Sequence, residues 1–122
     1  MNVALENIVA QFLKQFKVLA QSSLYVSPRE VNTQALIDLG MTFEDRRNLI
    51  LSLSMEDYSS GPVADLYRAG DVWIFGSWVN GVEVYIKLKL VVYRPVGTST
   101  QVRQAKCISF HAAKESLLYP LK

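Results

Sequence analysis

His111 is the only histidine of the chain. It closes the run Cys107-Ile108-Ser109-Phe110-His111, which also holds the only cysteine. An imidazole exchanges its proton near neutral pH, so a histidine ending a strand-like run is a candidate acid or base. Upstream, Tyr85, Lys87 and Lys89 alternate with Val84, Ile86, Leu88 and Leu90. In a β-strand such alternation puts each set on its own face. In the histidine run the large apolar groups are Ile108 and Phe110, expected to join Ile86 and Leu88 in a core. Cys107, Ser109 and His111 are then expected on the opposite face, with Tyr85, Lys87 and Lys89. Arg94, Arg103 and Lys106 fall at the rim of that face, and Trp73 or Trp78 is the expected aromatic surface beside it.

This set suits cleavage of RNA without a metal. The ribose 2′-hydroxyl must lose a proton, the phosphorane charge must be stabilised, and the leaving 5′-oxygen must gain a proton. Histidine supplies proton transfer, typically worth about 10²–10⁴-fold. Lysine or arginine beside the phosphate supplies the electrostatic part, and an aromatic face can stack a base of a single strand. A plainer reading also exists: lysines on an exposed strand solvate it and guard an edge.

The elements that must position these residues are legible from periodicity. Leu5, Ile8, Val9, Phe12, Phe16 and Leu19 recur at helical spacing over residues 3–20. Leu24-Tyr25-Val26 reads as a short extended piece ended by Ser27-Pro28. Asn32 or Thr33 is the expected cap of a short helix stopped by Gly40. Thr42 with Asp45 forms a capping-box pattern before a helix burying Leu49, Ile50 and Leu53, and Ser54-Met-Glu-Asp57 starts a single turn. Gly61-Pro62 breaks the pattern. Residues 72–79 and 82–93 read as strands joined at Asn80-Gly81, the strongest short hairpin signal. A polar connection over 94–104 precedes a returning strand at 105–111, and one helical turn is expected before Pro120. Helices first and an antiparallel meander afterwards give the α+β class, with N-terminal helices packed on a small antiparallel sheet in one domain over 1–122.

At 122 residues, half of them hydrophobic and 20% charged, the chain has the composition of an ordinary globular domain. Residues 1–83 carry six Lys/Arg and ten Asp/Glu, a net of −4, whereas 84–122 carry seven and one, a net of +6. A basic third on an acidic body points to a polyanion partner. One cysteine cannot form an internal disulfide, which fits an intracellular, cytoplasmic protein. One Cys and one His cannot furnish a soft-metal ligand set, so no cofactor is expected. Residues 1–20 lack a leader's pattern, and no run approaches membrane-spanning length, so no membrane partner is expected.

Several stretches together resemble the MqsR-type toxins of bacterial toxin–antitoxin systems, within the RelE-like ribonuclease fold. They are Leu39-Gly40 with Phe43, then Asn48-Leu-Ile-Leu-Ser-Leu-Ser-Met-Glu-Asp-Tyr58, then Asp71-Val-Trp73, then Val84-Tyr85-Ile86-Lys87, and finally Ile108-Ser109-Phe110 before a basic residue. The resemblance covers about Leu39 to His111. It implies a RelE-like fold and a metal-independent mRNA endoribonuclease that inhibits translation, acting on mRNA free or on the ribosome. It also implies restraint by a cognate antitoxin, which in this family often carries a zinc-binding domain and a helix-turn-helix. Tyr85 and Lys87 match active-site positions of the family, and His111 stands where a lysine is usual. Two positions depart: Ser59 and Ser60 replace an expected lysine, and Ile74 an expected glutamine.

Together these readings assign catalysis to His111, Lys87 and Tyr85, and RNA contacts to Lys89, Arg94, Arg103, Lys106, Ser109 and Trp73. The competing reading is a non-catalytic module of the same fold that binds RNA or a protein partner.

Overall fold

A computed structural model describes residues 2–122. Helix α1 (Val3–Ser22) starts where the Asn2 side chain accepts the Leu5 N–H at 3.0 Å, satisfying one of the free donors of a helix start. Its apolar stripe buries Val9, Phe12, Leu13, Phe16 and Ala20. Strand β1 (Leu24–Val26) and helix α2 (Glu30–Leu39) follow. Gly40 stops α2 in the left-handed conformation, at φ 66°, where a missing Cβ removes the steric cost. Helix α3 (Phe43–Ser52) opens on a complete Thr42–Asp45 capping box, and a 3₁₀ turn occupies Met55–Asp57.

Strands β2 (Tyr58–Ala64), β3 (Asp71–Val79), β4 (Val82–Tyr93) and β5 (Val102–Ala112) complete the chain. The fold is α+β, as expected, with the helices packed on one sheet face. The sheet is mixed rather than antiparallel: its order is β1-β5-β4-β3-β2, and β1 runs parallel to β5. Strand β2 crosses Gly61-Pro62, where sequence reading ends the pattern. It pairs with β3 through two register shifts, which is how a strand accommodates a residue unable to donate to the ladder. The tail after Ala112 forms no helical turn before Pro120.

The core lies between the helices and one sheet face. Phe12 stacks on Trp73 with centroids 4.4 Å apart. Phe16, Phe75, Val84, Ile86, Leu88, Cys107 and Phe110 are fully buried around that pair. Burying each large side chain is worth roughly 1.5–3 kcal/mol. Five consecutive β3 residues, Val72 to Gly76, are buried because both faces of this strand, which has neighbours on both sides, are covered.

Asn32 does not cap α2; Arg29 holds that position. Asn32 sits one turn inside, 1% exposed, against the edge of β5. Its amide donates to the carbonyls of Ser27 (3.0 Å) and Ile108 (2.9 Å) and accepts the Phe110 N–H at 3.0 Å.

Candidate functional site

The β4–β5 register places Tyr85 opposite His111 and Lys87 opposite Ser109. The tyrosine and histidine rings stack, 5.4 Å between centroids and 19° between planes. The Nδ1 of His111 lies 3.0 Å from the Ala112 carbonyl. A carbonyl only accepts, so this bond puts the proton on Nδ1 and leaves Nε2 for a ligand. The Tyr85 phenol is raised above its ordinary range, foremost by burial and against the opposing pull of the Arg29 charge. At neutral pH it is therefore a hydrogen-bond donor.

The regular alternation inferred for β5 breaks at Ile108. Lys87 pairs with Ser109 but Leu88 pairs with Cys107, so Ile108 is an extra residue in a β-bulge. The bulge reverses the pleat beyond it. Cys107, expected beside Ser109, is fully buried in the core, its thiol pushed up to about 12 mainly by burial. Ile108, expected in the core, instead lines a concavity of about 640 Å³ with Arg29, Ile74, Tyr85, Lys87 and Lys106. Residues Val63 to Arg68 close one side of it.

Other expected site residues take different places. Trp73 is on the helix side, in the core, and offers no surface to the Tyr85 face. Trp78, which pairs with Glu83 on that face, is 62% exposed. Ser109 is 2% exposed, and its Oγ accepts a hydrogen bond from the Arg29 guanidinium at 2.8 Å, so it positions a cation rather than meeting a ligand. Lys89 is 4% exposed and bound to Asp65 at 2.6 Å. Arg103 lines a groove against α1 with Lys14 and Val18, on the helix side. Arg94 follows the far end of β4, nine residues from Tyr85 or roughly 30 Å along an extended strand. Lys106 is in place, its Nζ 5.6 Å from the Tyr25 ring centroid.

His111 does not line the Tyr85–Lys87 concavity. It opens into a neighbouring hollow beside α2 with Glu30, Gln34, Asp38 and Lys114, and the stacked Tyr85 ring stands between the two. The C-terminal strap covers the same sheet face beyond Tyr85: Glu83 accepts from the Leu117 N–H (3.0 Å) and the Tyr119 hydroxyl (2.7 Å). Gly76 lies beneath, and a Cβ there would collide with Leu117 and Tyr119.

Sequence reading missed Arg29 and the loop 65–70. Arg29 follows Pro28 at the end of β1, and only the parallel pairing of β1 with β5 brings it over Ser109. The loop is held by Lys89, with Tyr67 and Leu66 about nine-tenths exposed. No family model, curated protein or solved structure matches the chain.

Proposed function

We propose that this protein is the toxin of a toxin–antitoxin pair, an endoribonuclease that cuts single-stranded mRNA without a metal and is restrained by a cognate antitoxin. The observation that carries the reading is Tyr85, which lines a cation-rich concavity with Lys87 and stacks on His111 in the adjoining hollow. The resemblance of residues 39–111 to the MqsR-type toxins supports the same chemistry, an antitoxin partner with zinc-binding and helix-turn-helix parts, and a cytoplasmic setting in which mRNA is met free or on the ribosome. No helix among the described residues is long and apolar enough to cross a membrane.

In the proposed reaction Nε2 of His111 takes the proton of the 2′-hydroxyl as the 2′-oxygen attacks phosphorus. The bond to the 5′-oxygen breaks, leaving a 2′,3′-cyclic phosphate, and the departing oxygen receives its proton from solvent, to which the concavity is open. The Lys87 ammonium offsets the phosphorane charge. The Tyr85 phenol, kept protonated by burial, donates to a phosphate oxygen and holds the imidazole by stacking.

One observation favours binding without cutting: Ile74, paired with Lys87, gives the concavity an apolar wall where the resembling family has a glutamine. Expression of wild type and His111→Ala separates the readings. Wild type is expected to arrest growth and to yield RNA ends carrying cyclic phosphate. His111→Ala is expected to cut about 10²–10⁴-fold more slowly. Equal cutting by both removes His111 from the chemistry, and arrest by either without new RNA ends favours the binding module.

A further inference from the structure

We infer that Arg29 and Lys106 form a second phosphate-binding subsite beside the Tyr85–Lys87 centre, so that the substrate is an oligonucleotide gripped through at least two consecutive phosphates. The inference rests on the nuclease reading above and adds the substrate's minimum length and the side on which it extends.

Arg29 is a built cation rather than a loose surface charge. Its guanidinium donates to the buried Ser109 Oγ at 2.8 Å and reaches the Ile108 carbonyl at 3.5 Å. The other N–H groups of its planar fork make no hydrogen bond among the described residues, and such a fork suits phosphate oxygens. Lys106 lines the same concavity on the other side of the Ile108 bulge, its position on β5 set by pairing with Lys89 on one strand and Tyr25 on another. Moving from the Lys87–Ser109 rung to the Lys89–Lys106 rung is two residues along β4, roughly 7 Å, a step comparable to that between neighbouring phosphates of an extended strand.

The charges give the direction. Asp65 is the only carboxylate among the residues lining the concavity, and Lys89 binds it. Arg29, Arg68, Lys87 and Lys106 have no carboxylate partner among the described residues. The hollow on the His111 side sets Glu30 and Asp38 against Lys114 alone, an acidic balance that disfavours phosphate. A strand placed at Tyr85 therefore continues over Arg29 and Lys106, away from the hollow that His111 lines.

The test compares cleavage of a dinucleotide having one phosphodiester with the same dinucleotide carrying an added terminal phosphate, 5′ in one substrate and 3′ in another, at low salt. In the wild type the added phosphate at one end is expected to raise kcat/KM about ten- to hundredfold, the usual worth of a charge-assisted hydrogen bond. Arg29→Ala and Lys106→Ala are expected to collapse that ratio toward one, with Arg29→Lys restoring part of it. Ser109→Ala keeps the charge but frees the guanidinium, and is expected to give an intermediate ratio. Thermal melts establish that each variant is folded. A wild type that cuts all three substrates equally, or folded Arg29→Ala and Lys106→Ala with the wild-type ratio, overturns the subsite alone. A wild type that cuts no RNA of any length refutes the nuclease reading and the subsite with it.

Discussion

Asn32 takes over where β1 stops. Beyond Cys107 no strand flanks β5 on its β1 side, and the Asn32 amide occupies that edge as a backbone neighbour would, donating to Ile108 and accepting from Phe110. Leucine has similar bulk and no polar atoms, so Asn32→Leu strands a buried donor. Each unpaired buried group costs about 1–3 kcal/mol, and Asn32→Leu is expected to lose about 3 kcal/mol in urea unfolding. An unchanged midpoint would show that the edge finds other partners. Sequence reading saw an N-cap residue at this position, because Asn before an apolar stretch has that local use. Only packing against β5 distinguishes the two roles. The same holds for Cys107 and Ile108: period-two alternation is a local rule, and one extra residue in β5 inverted it. Ser109 and His111 escaped because both lie on the C-terminal side of the bulge, where alternation with Phe110 and pairing with Lys87 and Tyr85 are intact.

Among the elements, the loop between β2 and β3 depends most on a single ion pair. Lys89 binds Asp65 at 2.6 Å, and that hydrogen bond, followed by the one from the Tyr67 N–H, lowers the Asp65 carboxyl from 3.8 to about 2. A carboxyl whose pKa is lower in the folded than in the unfolded state stabilises the fold above its unfolded value, and the stabilisation fades as pH falls toward the folded value. The Asp65 contribution is therefore whole above about pH 4 and lost by about pH 2. Asp65→Asn is expected to melt below wild type at neutral pH, the two curves converging as pH falls from about 3.8 to about 2. Parallel curves across that range would place the acid transition elsewhere. Lys89 reads in sequence as a member of the Tyr85–Lys87 row, and it does emerge from that face. The loop folding over it turned a candidate phosphate ligand into the loop's anchor.

For the whole molecule, the charge asymmetry of the sequence is regrouped by the fold. Arg103 goes to the helix side and Lys89 is neutralised, whereas Arg29, from the acidic part of the chain, joins Lys87 and Lys106. Counterion release scales with the phosphates met, at about 0.7 per contact for a single strand. The two phosphates held by Lys87 and by Arg29 with Lys106 give an expected slope of about −1.4 for log K against log salt in binding of an uncleavable 2′-O-methyl strand. A slope near zero would exclude phosphate contacts at this face. Sequence alone determined the α+β class, the stripe of α1, the Thr42 capping box, the Asn80-Gly81 hairpin and the alternation of β4. Each is written in propensity or periodicity over neighbouring residues, where a few side chains settle the backbone. Tertiary structure decided the parallel place of β1, the strand through Gly61-Pro62, the bulge at Ile108 and the arrival of Arg29 over Ser109. Those depend on pairing between separate segments, about 80 residues apart for Arg29 and Ser109, and the energy that selects them comes from burial and hydrogen bonding across the sheet, which no local pattern encodes.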